Sequence, residues 1–161
     1  MVTNVHILLG GLIGPDGYLT SRGMFGLAKQ IRALGYPVTT YTWNNWEKIV
    51  LYGHDVIIGY SGGGSRATWL VDKWWATPID LMVLYDPSPK WQMEPIGPNV
   101  KKAICYQNMR PLMFGLGGGV LTRRGSGSPI LVRKIKEQHL AVQYDQSLHA
   151  ATIQAIKDVS S

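Results

Sequence analysis

The chain has 161 residues, 45% of them apolar and 16% charged, with a formal net charge of +6. That length suits one domain with a real core, residues 1–161 as a single unit, and the apolar balance excludes a disordered chain. The single cysteine, Cys105, excludes an intrachain disulfide and an all-cysteine metal site.

The positive charge is lopsided. Residues 1–80 carry six Lys/Arg against five Asp/Glu, and residues 81–161 carry ten against five. A basic half attracts anionic substrates, nucleic acid or an acidic surface. No nucleic-acid motif accompanies it, so a solvated basic face is expected and nucleic acid is not an expected partner. Met1 to His6 has no basic n-region, and the apolar run Val5 to Leu9 is too short for a signal segment or a membrane span. A soluble, cytoplasmic protein is therefore expected.

In chain order, Val5-His6-Ile7-Leu8-Leu9 is a continuous apolar run closed by Gly10-Gly11, the pattern of a strand buried on both faces. A glycine-bearing loop to Gly23 follows, with Pro15-Asp16-Gly17 as a turn. Met24, Leu27, Ile31 and Leu34 recur at helical spacing until Gly35. Val38 to Thr42 is β-branched and predicts a second strand. Trp43 to Trp46 is a loop at its end, with a short helix from Glu47 to Leu51. Asp55 to Tyr60 predicts a third strand, and Ser65 to about Trp75 a helix broken by Pro78. Leu81 to Tyr85, Lys102 to Gln107 and Ile130 to Ile135 predict the remaining strands, and Gln146 to Val159 a closing helix capped by Asp145. Between Asn108 and Pro129 lies a long glycine-rich stretch, of a length that in a compact domain is functional or mobile. Apolar strands alternating with helices predict an α/β fold with a mostly parallel central sheet of about six strands, flanked by helices.

One turn stands out. Gly59-Tyr60-Ser61-Gly62-Gly63, between a strand and a helix, has the G-x-S-x-G spacing of a nucleophile elbow. A serine at so sharp a turn needs glycines beside it, because a Cβ there would keep strand and helix apart. A serine hydroxyl also needs an adjacent base and a group to orient that base. In parallel sheets the chemistry gathers at the carboxyl ends of the strands, and that rule sorts the candidates. His6 lies within the first strand, His54 precedes a strand, and His149 falls inside the closing helix. His139, in a loop past a strand end, is the expected base, with His149 the alternative. Asp55 and Asp80 precede strands, whereas Asp86 immediately follows one. Its neighbour Pro87 favours an extended Asp86; the competing reading is an Asx turn. Ser61 attacking a carbonyl, His139 taking its proton and Asp86 holding the imidazole is the arrangement these positions predict. The Gly62 amide and an amide of the Gly10-Gly11-Leu12-Ile13 loop, from Gly11 or Leu12, are the expected oxyanion donors. Cys105, inside an apolar strand, reads as a buried inert thiol.

With Leu8-Leu9-Gly10-Gly11-Leu12, Gly59-Tyr60-Ser61-Gly62-Gly63, Leu84-Tyr85-Asp86-Pro87 and His139-Leu140 in that order, the chain resembles a small member of the α/β-hydrolase superfamily, similar to compact lipase- and thioesterase-related proteins. The resemblance implies a minimal, lidless hydrolase fold, a serine esterase or lipase-like activity, and no cofactor or metal. Two departures accompany it. There is no room for the two strands that usually precede the oxyanion loop. The acid usually follows the next strand, near Gln107-Asn108-Met109, where no carboxylate stands.

The expected substrate is a small-molecule or lipid-like ester or thioester. Trp43, Trp46 and Trp91 lie in loops at carboxyl ends and offer an apolar platform, or simple packing. The stretch from Gly115 to Gly127, with Arg123 and Arg124, offers a cover or an anion grip, or a disordered loop. An acyltransferase using the same residues, and a non-catalytic α/β domain binding an anion at a helix N-terminus, are the competing functions. Oligomeric state is not legible.

Overall fold

The computed structural model describes residues 3–11, 20–109 and 116–161. Six strands form one sheet: β1 (Val5–Leu9), β2 (Val38–Thr42), β3 (Asp55–Tyr60), β4 (Ile79–Tyr85), β5 (Val100–Asn108) and β6 (Ile130–Ile135). Their order is β2-β1-β3-β4-β5-β6, and every pairing is parallel. The fold is α/β, as the alternation of apolar strands and helical stretches predicts.

Period-2 side-chain alternation splits the core into two layers. Ile7, Ile58, Val83 and Tyr106 face a layer built with Met24, Leu27 and Ile31 of α1 (Arg22–Ala33) and Leu148 and Ile156 of α3 (Gln146–Ser160). Leu8, Ile57, Met82 and Cys105 face the other way, against Ala67, Leu70 and Val71 of α2 (Gly62–Lys73). Each fully buried aliphatic side chain is worth roughly 1.5–3 kcal/mol, so both faces must be covered. That is why the inner strands are apolar at nearly every position. Between β1 and β3 the winding reverses, because β2 lies on one side of β1 and β3 on the other. Such a switch point opens a crevice at the carboxyl ends of the two strands.

Several boundaries differ from the sequence expectation. A 3-10 helix occupies Trp43–Lys48 in place of a helix from Glu47 to Leu51, and Ile49 and Leu51 instead bury their side chains in the α2-side core. α1 begins at Arg22, where the Ser21 hydroxyl donates to the Gly10 carbonyl (3.0 Å). α2 begins at Gly62, not Ser65, and ends at Lys73. Helix propensity disfavours Gly62-Gly63-Gly64 in a helix by about 1 kcal/mol each. Packing decides otherwise: a Cβ on Gly63 would collide with the Leu8 carbonyl, and one on Gly59 would meet the Gly63 carbonyl at 2.7 Å. Pro15-Asp16-Gly17 and Leu12 lie outside the described residues, as does Gly115.

The glycine-rich stretch is stitched to the body from residue 116 onward. Ile96 bridges Arg123, with the Ile96 amide donating to Thr122 (2.9 Å) and the Arg124 amide to Ile96 (2.9 Å). Arg123 Nη1 donates to the Gly97 carbonyl (2.8 Å) and Arg124 pairs with Asp72 (2.8 Å). These arginines brace the loop.

Gly63→Ala is expected to lower stability by about 1–3 kcal/mol, since its Cβ meets backbone that cannot yield. Gly26→Ala, on the exposed face of α1 with open space at its Cβ, is expected to raise it by up to about 1 kcal/mol. Urea midpoints at unchanged slope measure both.

Candidate active site

Ser61 joins the end of β3 to the start of α2 with φ 52° and ψ −122°. A non-glycine residue at positive φ costs on the order of 1–3 kcal/mol, and hydrogen bonds hold it there from both sides. Its amide donates to the Tyr85 carbonyl at the end of β4 (3.1 Å), and its carbonyl accepts from the amides of Gly64 (2.8 Å) and Ser88 (3.0 Å). The end of β1 presses close: a Cβ on Gly10 would lie 2.8 Å from the Ser61 Cβ. The hydroxyl is thereby aimed into the crevice beyond the strand ends.

The structure brings Ser61, His139 and Asp86 into one hydrogen-bonded chain. His139 Nε2 lies 2.8 Å from Ser61 Oγ, and His139 Nδ1 lies 2.6 Å from Asp86 Oδ2. All three side chains are buried or nearly so. The Nδ1–H tautomer, donating to the carboxylate, leaves Nε2 free to accept from the serine hydroxyl.

Asp86 reaches this position by an unexpected route. Its φ is 42°, in the left-handed region and not the extended one that the following proline favours. Aspartate tolerates that region better than most residues. Its amide donates to the Tyr106 carbonyl (2.8 Å), which fixes the strand exit. Nor is the carboxylate spent on an Asx turn: Oδ1 accepts from the amides of Asn108 (3.1 Å) and Gly118 (2.6 Å). Gly117, at φ 81°, passes so near that a Cβ would collide with the carboxylate. Gly117 and Gly118 are thus close-approach glycines for Asp86. The Asn108 amide, at the end of β5, thus holds the carboxylate that leaves the neighbouring strand β4.

His139 is anchored equally firmly. Its ring stacks on Tyr60 (5.5 Å between centroids, 25° between planes), and its carbonyl accepts from the Tyr60 hydroxyl (3.1 Å). Burial, with the Asp86 charge adding to it, raises the Tyr60 pKa, so the phenol stays a donor. Gln143 ties the histidine loop to the head of α1: its Oε1 accepts from the Gly23 amide (3.1 Å) and its Nε2 donates to the Thr20 carbonyl (2.6 Å). Nothing in the sequence pattern marks Gln143 or Tyr60 for these tasks.

The other histidines are placed elsewhere. His6 pairs with Asp55 (3.2 Å) and His54 with Asp80 (3.2 Å), both toward the amino ends of the strands. His149, the alternative base, is buried against the Gln143 carbonyl through Nε2 (2.7 Å) and Gln30 through Nδ1 (3.3 Å). Cys105 is buried, and burial pushes its thiol up to about 12, which keeps it protonated.

Ser61 opens on a cleft of about 410 Å³ whose walls include Gly11, Gly62, Trp43, Trp91 and Leu116. Trp46 is not among them; it packs edge-on against Trp69 (5.9 Å, 88°). Gly62 is the first residue of α2, where amides lack helical acceptors and the macrodipole is positive. The Gly11 amide nitrogen comes within 3.9 Å of the position a Gly62 Cβ would take. Two further groups at the cleft were not anticipated. Ser88 Oγ lies 3.2 Å from Ser61 Oγ, and Arg66 lines the wall one helical turn beyond Gly62.

No protein-family model matches the chain, and no curated protein matches it. Among solved structures it is similar to the pyrethroid hydrolase PytH, solved with BIF, at TM-score 0.51 and 10% identity over 96% of this chain and 97% of that one. A histidine-to-alanine variant of PytH gives TM-score 0.53 at 9% identity, covering 98% of each chain. The likeness is one of fold. No helix of the described residues is long and apolar enough to cross a membrane.

Burial holds the His149 pKa below the ordinary 6.5. The unfolded chain therefore takes up a proton near pH 6.5 that the folded chain refuses, so this stability is complete above that value and lost as pH falls below it. Asp145, whose carboxyl is lowered by its Ser147 hydrogen bond, acts only in a window below 3.8. The urea midpoint is expected to fall between pH 7 and pH 5, with a shallower slope in His149→Gln.

Proposed function

We propose that the protein is a serine hydrolase of the α/β-hydrolase superfamily that cleaves a carboxylic ester or thioester. The observation that carries this reading is the chain from Asp86 Oδ2 through His139 to Ser61 Oγ, at 2.6 and 2.8 Å. An Asp–His pair recurs in any protein; one whose second nitrogen meets a strained serine at a crevice is suited to acyl transfer.

The chemistry follows from the atoms in place. His139 Nε2 takes the Ser61 proton as Oγ attacks the carbonyl carbon, and the carbonyl electrons move onto oxygen. The amides of Gly62 and Gly11 are the donors available to that oxyanion, Leu12 lying outside the described residues. Collapse breaks the bond to the leaving oxygen or sulfur, which receives the proton from His139. Water then repeats the sequence on the acyl-serine: His139 takes its proton, the carboxylic acid departs, and Ser61 Oγ is reprotonated. Asp86 keeps the imidazole in the right tautomer and stabilises its cation, which a buried carboxylate held by two amides does without moving. Trp43 and Trp91 supply apolar wall for the substrate.

A fluorophosphonate probe is expected to label the folded protein at Ser61, with labelling absent in Ser61→Ala. Turnover of a short p-nitrophenyl ester should fall by about 10⁴-fold or more in His139→Ala and by about 10⁴-fold in Asp86→Asn. Absence of labelling in the folded wild type overturns the reading; an undiminished Asp86→Asn removes Asp86 from the mechanism.

A further inference from the structure

Arg66 is the ionisable side chain among the described residues lining the Ser61 cleft, whose other walls are tryptophan, proline, leucine and small polar groups. It belongs to no ion pair among the described residues. Glu47 acts on it only through space, and burial lowers its pKa, although a guanidinium stays charged throughout the physiological range. Its Nη1 is covered from solvent with no hydrogen-bond partner among the described residues. A shielded donor on a cation is costly to leave unsatisfied.

The guanidinium is also built into its position. Its carbon stands 3.9 Å from the Trp69 ring centroid and 5.6 Å from that of Trp43. Trp69 is itself fixed, its indole N–H donating to the Gln92 carbonyl (2.6 Å) and its ring braced edge-on by Trp46. The indoles hold the guanidinium by cation–π attraction and take none of its hydrogen bonds, and a guanidinium with an unused donor can grip a carboxylate or phosphate. On α2, Arg66 is four residues beyond Gly62 and so on the same face, about 5–6 Å away at the Cβ positions. An acyl carbonyl at Gly62 and an anionic group at Arg66 therefore fit one short substrate.

We propose that the cleft selects anionic substrates: esters or thioesters bearing a carboxylate or phosphate group a few bonds from the scissile carbonyl, gripped by Arg66. The substrate claim rests on the hydrolase reading, but the anion site does not. Its wall is apolar enough to shield the ion pair from solvent, which strengthens it.

The test has a kinetic and a binding arm. The kinetic arm compares p-nitrophenyl glutarate half-ester with p-nitrophenyl valerate, which match in length and differ in terminal charge. The wild type is expected to favour the charged ester, with KM rising with salt. The charged-to-neutral ratio of kcat/KM should fall on the order of 10–100-fold in Arg66→Gln, and less in Arg66→Lys, which keeps the charge. The binding arm titrates Ser61→Ala by tryptophan fluorescence with monomethyl glutarate, monomethyl phosphate and methyl valerate. Saturable binding of either anion but not of the neutral ester, weakened by Arg66→Gln, supports the site, and the tighter anion names the group. Equal handling of charged and neutral ligands, insensitive to salt and unchanged in Arg66→Gln, overturns it. Should Arg66→Gln not fold, Arg66→Lys and the wild-type salt dependence decide the same question. Anion binding in a protein that no fluorophosphonate labels leaves the anion site standing and removes the hydrolase reading. Ester turnover without charge preference does the reverse.

Discussion

The tie at Ser61 is where the layers of this molecule meet. One residue at φ 52° receives the end of β3, starts α2 and exchanges backbone hydrogen bonds with Tyr85 and Ser88 at the exit of β4. The end of β1 reaches it through Gly10, and the helix can sit so low only because Gly63 lets its backbone rest on the Leu8 carbonyl. Strain here is local, while the hydrogen bonds and close contacts that hold it come from three strands and a helix. A conformation so over-determined persists in spite of its cost.

The same logic governs the groups around it. Asp86 also sits at positive φ, and its carboxylate is fully used: one oxygen by the amides of Asn108 and Gly118, the other by His139. The Gly117–Gly119 segment therefore acts as a backbone clamp on the acid, and Gly119 continues the clamp by donating to the Pro87 carbonyl (3.0 Å). On the other side, Tyr60 supports the imidazole from the position just before Ser61, and Gln143 binds the histidine loop to α1. For the proposed hydrolysis such preorganisation matters, because a misplacement of about 1 Å in a reacting constellation is felt as a large loss of rate.

The sheet was legible because strands buried on both faces leave short apolar runs bounded by turn residues, as Val5 to Leu9 and Val56 to Tyr60 are. Sheet edge was legible too, since a residue just after a strand must lie at its carboxyl end, and that puts Ser61 and Asp86 on the same edge. Three features were hidden. The start of α2 was hidden because three glycines argue against a helix, and only the close contacts of Gly63 with Leu8 and of Gly64 with Pro87 explain two of them. The backbone of Asp86 was misread because the influence of Pro87 is local, whereas the hydrogen bond to Tyr106 is not. Arg66, Ser88 and Gln143 carry no motif. Arg66 in particular reads as one more surface cation until Trp69 and Trp43 are seen beside it.

Three histidine–aspartate pairs exist among the described residues, and comparing them shows what distinguishes the one at the crevice. His54 shares Asp80 with Lys101, which lies 2.7 Å from that carboxylate, and its own side chain is 42% exposed, so this pair sits at the surface with a lysine beside it. His6 is buried with Asp55. Burial alone raises that carboxyl, but the His6 hydrogen bond and the Tyr52 and Gly53 amides outweigh it and hold Asp55 below its ordinary value. Yet His6 Nδ1, on the side away from Asp55, finds no hydrogen-bond partner among the described residues, so no hydroxyl opposes it. Only at His139 is the second nitrogen opposed by a hydroxyl, with a cleft in front and helix-end amides alongside. A paired imidazole thus occurs at both edges of this sheet. What sets His139 apart is the hydroxyl on its far side, and the winding order of β1, β2 and β3 decides where that group can stand.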